Sequence, residues 1–168
     1  MADLPQIMDV NLPMSIDSQT AFPWLSLIVL IPAFGALIMP FLPTQESKNS
    51  NLPRNISLII LLADFFIILG AFARLFNPHS ESLQLVERLQ WLPSIGLEWS
   101  LGVDGISAPL VVLSGLITFL SAAASWKVKQ KTRLYFALLL IQASAQTLVF
   151  LSQDFLLFFL AWELELVP

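Results

Sequence analysis

Hydrophobic residues occur in long, nearly uninterrupted runs along this chain. Four runs have about the length of one membrane crossing: 22–42, 56–76, 108–126 and 134–151. A helix needs about 20 apolar residues to cross a hydrocarbon core about 30 Å thick. A fifth run, 155–168, is too short to cross. We therefore predict an all-α integral membrane helix bundle with four complete transmembrane helices and an incomplete fifth, and we interpret the chain as part of a longer subunit.

Composition supports this interpretation and limits the chemistry. Hydrophobic residues make up 57% of the 168 residues and charged residues only 12%, about half the charged share of a typical soluble domain. Without cysteine, these residues cannot form a disulfide or hold an iron–sulfur cluster by thiolates. The six glycines fit no phosphate-binding motif, and the single histidine, His79, lies in a predicted loop. We predict that this chain itself binds no cofactor, metal or nucleotide.

Basic residues are concentrated in the loops on one side of the predicted membrane. The short segment 127–133 holds four of the eight Lys and Arg residues, and Lys48 and Arg54 follow the first span. By contrast, the tail 1–21 has no basic residue and the loop 77–105 is acidic. The positive-inside rule therefore predicts that the N-terminal tail and the 77–105 loop face outward, which in a thylakoid is the lumen.

The long outer loop has a pattern of its own. Residues 95–103 alternate apolar and polar side chains, a period of two that is typical of a strand buried on one face. Residues 83–91 alternate less cleanly, and Pro93 and Ser94 between them suit a turn. We predict a short β-hairpin in the 77–105 loop.

A few polar residues interrupt the apolar runs. Asp64 lies midway along the second span, where a charged Asp costs on the order of 2.5–3.5 kcal/mol. It is either a neutral, hydrogen-bonded acid that joins helices or a participant in proton transfer, and the sequence leaves both open. Gln142 and Gln146 share one face of the fourth span and are expected to bond neighbouring helices. Asp104, beside the start of the third span, is expected to act in a turn or helix cap.

Two carboxylates stand in the final apolar run, FFLAWELELVP. Glu163 lies nine residues into a helix that starts after Asp154, about 13 Å along its axis. An ionisable residue at such a depth is a candidate for a proton path. Glu165 follows two residues later, about 200° around the helix, so both carboxylates cannot face one cavity. No lysine lies inside any apolar run.

These motifs resemble a known family. The ending WELELVP, entered from DFLLFFLA, and the segment LGVDGIS before the third span resemble the proton-pumping, antiporter-like subunits of complex I. Among these, they are most similar to the chain 4 family of the cyanobacterial and chloroplast NAD(P)H–plastoquinone oxidoreductase. The resemblance implies a bundle of about 14 helices with inverted repeats, of which this chain is the N-terminal five-helix part.

The resemblance also implies a function. The chain would belong to a translocase that couples plastoquinone reduction in other subunits to proton pumping, with Glu163 as a proton-relay carboxylate paired to a lysine outside this chain. Iron–sulfur clusters and plastoquinone would be bound by other subunits of the membrane complex, in the thylakoid. The resemblance gives no defined role to Glu165 or Asp64, which stay accessory candidates. The alternatives are a subunit of a multi-subunit cation/proton antiporter and a structural membrane scaffold.

Overall fold

A computed structural model describes residues 22–42, 51–80, 82–92, 94, 96–128 and 130–168. The acidic tail predicted for 1–21 lies outside these residues. Within these residues, five helices and two strands follow one another: α1 (Trp24–Ile38), α2 (Leu52–Leu75), β1 (Gln84–Leu92), β2 (Leu97–Val103), α3 (Ser107–Ala124), α4 (Thr132–Leu151) and α5 (Phe155–Leu166). Short 3₁₀ turns extend α1 over Met39–Phe41 and α3 over Ser125–Lys127.

Four of these helices are long and apolar enough to cross a membrane. They are α1 with its extension (Trp24–Phe41), α2, α3 with its extension (Ser107–Lys127), and α4. The helix α5 has 12 residues and is shorter than a membrane crossing requires. The predicted fold class, an all-α integral membrane bundle with a hairpin in one loop, is confirmed.

The helix α4 is the centre of the bundle. It contacts all four other helices, and half of its apolar window is buried, a larger share than in any other candidate span. Small side chains at Ala137, Ala143, Ser144 and Ala145 are buried on α4 and permit close helix approach. Gly35 of α1 also allows close approach, and its neighbours are Ile60 of α2 and Leu140 of α4.

The buried apolar side chains form two clusters. The hairpin-end cluster joins all five helices to the strands: Leu25, Ile28, Val29, Ile68, Ala71, Phe72, Leu85, Leu97, Leu101, Val103, Ala108, Val111, Leu148, Leu151, Leu157 and Ala161. The basic-end cluster lies toward the loops that carry most Lys and Arg residues: Ala36, Met39, Leu61, Ala122, Phe136, Ala137, Leu140 and Ala143. The core is therefore divided along the bundle axis.

The two strands pair as an antiparallel hairpin, with Leu89 opposite Trp99. Gly96 in the turn has a φ of 71°, which a glycine adopts without steric cost. The hairpin is fastened at two points: the carboxylate of Glu87 accepts the backbone N–H of Leu25 at the start of α1 (2.7 Å), and the N–H of Gln153 donates to a β2 carbonyl (2.8 Å). It thus connects the start of α1 to the link between α4 and α5.

The helix α2 begins at Leu52, four residues before the apolar run from which the span was predicted. Pro53 lies in its first turn, a position where a missing N–H and a fixed φ favour helix initiation. Arg54, expected in a loop, is consequently part of the helix and is buried.

Candidate functional site

The helix α5 is held in position by a cap at its first turn and by one buried face. Asp154 caps the helix, since its Oδ1 accepts the N–H of Leu157 at 2.8 Å. Leu157 and Ala161, four residues apart, are its buried residues and so define the face that docks. The helix contacts α4 and β2, and the hairpin and α4 together therefore orient the two carboxylates.

The two glutamates of α5 lie on different faces. Glu165 follows Ala161 by four residues and is half-buried on the docking face, whereas Glu163 is exposed. The angular separation expected from helix geometry thus places Glu165 against the bundle. Glu163 projects from the side of α5 that α1–α4 leave uncovered.

Asp64 occupies a different environment. It is 5% exposed and lies on the buried face of α2 between Leu61 and Ile68. Its Oδ1 is buried without a hydrogen-bond partner among the residues that the structure describes. Leu61 belongs to the basic-end cluster and Ile68 to the hairpin-end cluster, so Asp64 lies at the boundary between the two apolar clusters.

The same boundary is polar on two further helices. On α3 the buried polar residues lie between Val111 and Ala122, and on α4 they lie between Ala143 and Leu148. We call this set the mid-bundle polar layer: Asp64, Ser114, Thr118, Ser144 and Thr147. Because each member separates residues of the two clusters on its own helix, the layer crosses the bundle near mid-height.

Hydrogen bonds satisfy only part of the layer. Ser144 Oγ donates to the carbonyl of Val29 at 2.7 Å, in the turn of α1 that precedes Pro32, and so links α4 to α1. Thr118 donates within α3 to the carbonyl of Ser114 at 2.9 Å. Within the described part of the chain, Ser114 Oγ, like Asp64 Oδ1, has no partner. The layer therefore has spare hydrogen-bonding capacity, and its members include no cation.

The polar residues of α4 differ in burial. Gln142 is exposed and Gln146 half-buried, and among the described residues it is the hydroxyl of Ser144, not either amide, that bonds α1. The short Ser144 side chain reaches the backbone of α1 because α4 and α1 pack closely together at this point. Ser114 and Thr118 were missed, although their i, i+4 spacing on α3 is a signal that could have found them.

Asp104 lies at the outer start of α3 and caps it. Its Oδ1 accepts the N–H groups of Ser107 (2.7 Å) and Ile106 (3.0 Å), and Ser107 Oγ accepts the N–H of Asp104 (2.9 Å). These hydrogen bonds hold the pKa of Asp104 below its ordinary value, and the largest contribution comes from the backbone N–H of Ser107.

The single histidine, His79, is exposed. No cluster of three His, Cys, Asp or Glu side chains suited to a metal occurs among the described residues.

Four apolar spans, a hairpin fastened over one end and a short acidic helix docked on α4 define the class, a multi-pass membrane helix bundle. The family follows from sequence similarity. The family model for NADH-ubiquinone oxidoreductase chain 4, amino terminus, matches residues 26–152. The chain belongs to this family.

Curated relatives share this description. NAD(P)H-quinone oxidoreductase chain 4 of Prochlorococcus marinus (strain NATL1A) is 50% identical over 151 residues, which cover 89% of this chain and 28% of that protein. NAD(P)H-quinone oxidoreductase chain 4 3 of Picosynechococcus sp. is 47% identical over 147 residues, 88% of this chain and 26% of that protein. The chain spans about a quarter of the length of the curated relatives it matches.

A solved structure supports the fold. A chain of the membrane-bound sulfane sulfur reductase, an archaeal respiratory membrane complex, has a TM-score of 0.62 to this chain at 17% sequence identity. The match covers 84% of this chain and 21% of that one. At this identity the likeness concerns the arrangement of helices, which recurs in a respiratory membrane complex.

Proposed function

We propose that this chain is the N-terminal part of a proton-translocating membrane subunit of a type I NAD(P)H–quinone oxidoreductase. The observation that carries the proposal is membership of the chain 4 family over residues 26–152. Relatives at 47–50% identity are named as chains of a quinone oxidoreductase, which favours this function over that of a cation/proton antiporter or a scaffold.

In this proposal Glu163 is the proton-relay carboxylate. It is exposed on a helix that docks by Leu157 and Ala161 on its other side, so its carboxylate is free to meet a group from outside this chain. A lysine is the partner that the family resemblance implies. At 4 Å and an effective dielectric constant near 20, such a pair gains about 4 kcal/mol. Separating the pair would change the proton affinity of the lysine about a thousandfold.

The other two candidates take accessory roles. Glu165 is half-buried on the docking face of α5, where it contributes to the position of that helix. Asp64 supplies the one ionisable side chain of the mid-bundle polar layer, a place for an accessory proton-transfer group. Neither carboxylate shares the exposed face of Glu163.

The remaining parts of the proposal concern the whole complex. Electron transfer, iron–sulfur clusters and plastoquinone belong to other subunits, and other membrane-arm subunits and lipid are the partners of this chain. We propose a thylakoid location with the N-terminal side in the lumen, supported by the basic residues Lys127, Lys131 and Arg133 at the opposite end of the bundle.

The test replaces Glu163 by Gln in the full-length subunit, with Glu165→Gln as the matched control two residues away. Proton uptake and quinone reduction are followed together in vesicles and normalised to assembled complex. We expect Glu163→Gln to abolish proton uptake per quinone reduced while assembly survives, and Glu165→Gln to have a mild effect. Undiminished pumping by assembled Glu163→Gln complex would contradict the proposal.

A further inference from the structure

A cavity of about 480 Å³ opens at the basic end of the bundle, between the starts of α2 and α4. Asn51 and Arg54 line it from the start of α2 and the residue before it, Trp126 and Lys127 from the turn after α3, and Thr132 from α4. Its volume is in the range of small-molecule sites. Nothing in the proposed proton path uses this cavity, which lies at the end of the bundle opposite the hairpin.

The buried charged side chain in this cavity is an arginine. Arg54 is 7% exposed, and its guanidinium carbon lies 3.7 Å from the centre of the Trp126 ring. Its Nη2 donates to Asn55 Oδ1 at 3.2 Å, but Nε is buried and has no partner among the described residues. Buried arginines are normally paired with an acid. Among the residues that the structure describes, no carboxylate lines this cavity, so Arg54 has no acidic partner there.

Two helix N-termini add positive potential to the same cavity. Asn51 precedes α2 and makes no side-chain capping bond. Lys131 precedes α4 and likewise makes none, since an ammonium cannot accept the first-turn N–H groups. Each uncapped N-terminus acts as roughly half a positive charge. With Arg54 and Lys127, both helix starts make the cavity complementary to an oxyanion.

We propose that this cavity binds the phosphate group of an anionic membrane lipid. A guanidinium held beside an aromatic ring can donate N–H groups to phosphate oxygens, and Thr132, a residue with a hydroxyl donor, also lines the cavity. Large apolar side chains are exposed nearby on the same helix ends: Leu52, Trp126 and Leu134. They offer acyl chains a surface beside the cationic pocket, an arrangement typical of lipid headgroup sites between transmembrane helices.

The experiment uses the full-length subunit in its assembled complex, stripped of lipid in detergent. Native mass spectrometry measures the tightly held phospholipid after addition of phosphatidylglycerol or phosphatidylcholine vesicles, or of inorganic phosphate. The variant Arg54→Gln removes the buried cation. Arg74→Gln is the matched control, because Arg74 is an exposed arginine at the other end of the same helix. Lys127→Gln changes an exposed cavity residue and leaves the buried core untouched.

We expect wild type and Arg74→Gln to retain one phosphatidylglycerol more than Arg54→Gln, with no such difference for phosphatidylcholine. Lys127→Gln should weaken retention at least tenfold in normally assembled complex, which separates a binding defect from a folding defect. Equal retention in Arg54→Gln, Lys127→Gln and wild type would overturn the proposal. Binding of inorganic phosphate without phosphatidylglycerol would overturn the assignment to a lipid.

One segment of the chain itself supplies a competing anion. Residues 43–50 precede α2, lie outside the described residues, and include Glu46. In the same assay, Glu46→Gln should leave phosphatidylglycerol retention unchanged. Retention that appears only in Glu46→Gln would show that this carboxylate occupies the cavity, and the lipid proposal would then fail.

Discussion

The carboxylate of Glu87 joins the hairpin to the first transmembrane helix, and its removal should loosen that end of the bundle. Glu87 Oε1 accepts the N–H of Leu25 (2.7 Å), and Oε2 accepts both the N–H (2.9 Å) and the hydroxyl (2.5 Å) of Ser26. The same hydroxyl accepts the indole N–H of Trp99 at 2.8 Å. Pro23, the residue before α1, has no side chain that could cap it. Glu87 therefore acts as the cap of α1, from 62 residues away.

The magnitude follows from the bonds that are lost. Hydrogen bonds to a charged group contribute roughly 1.5–3 kcal/mol each, and a carboxylate at a helix N-terminus adds about 0.3–1 kcal/mol. The site is half-buried, so water replaces some of the hydrogen bonds that are lost. We therefore expect Glu87→Ala to reduce the stability of the first turn of α1 by about 2–4 kcal/mol. This corresponds to opening of the first turn of α1 that is roughly 30- to 1,000-fold more frequent. Glu87→Gln keeps one oxygen and should cost less.

Hydrogen exchange of the peptide covering 24–30, in assembled complex, measures this opening. Glu98→Ala is the matched control, since Glu98 is a half-buried glutamate on the partner strand of the same hairpin that makes none of these bonds. Faster exchange of the Leu25 and Ser26 amides in Glu87→Ala alone is the expected result. Equal exchange rates in Glu87→Ala, Glu98→Ala and wild type would refute the capping role.

Three further changes test other parts of the bundle. A methyl group at Gly35 would lie 2.8 Å from Ile60 Cδ1, whereas one at Gly70 meets nothing within 4 Å. Gly35→Ala should therefore lower the melting temperature of the complex relative to Gly70→Ala, because the flexible end of the Ile60 side chain must move aside at a cost of about 0.5–1.5 kcal/mol, whereas Gly70→Ala should be neutral or stabilising by up to about 1 kcal/mol; the opposite order would contradict the packing of α1 on α2. Asp64→Leu removes a buried oxygen without a described partner and should stabilise the bundle by about 1–3 kcal/mol in a thermal melt. A loss of stability would mean that Asp64 joins helices. The pKa of Asp104 is lowered from 3.8, so its stabilisation of the α3 start is complete above that pH and is lost as pH falls through the lower folded value. Asp104→Asn should remove this acid dependence from the exchange of the 104–110 peptide, and an unchanged acid dependence would exclude Asp104 as its source.

Local patterns in the sequence were enough to predict the transmembrane helices and a strand of the hairpin. Four apolar runs predicted the four spans because a membrane-crossing helix must satisfy its backbone internally over a fixed thickness. The alternation over 95–103 predicted a strand because successive side chains of a strand face opposite sides. The opposite orientations of Glu163 and Glu165 follow from the 100° turn per residue. Each of these properties depends on residues close together in the chain.

The tertiary structure decided how each helix is rotated and what its polar residues meet. The spans are apolar on nearly every side, so no amphipathic stripe indicates which face is buried. Packing around α4 places Asp64 with hydroxyl groups of α3 and α4 in one layer and turns Glu165 rather than Glu163 toward the bundle. It also buries Arg54 beside Trp126, 72 positions later in the chain. These contacts join residues far apart in sequence, and their partners are set by the shapes of the packed helices.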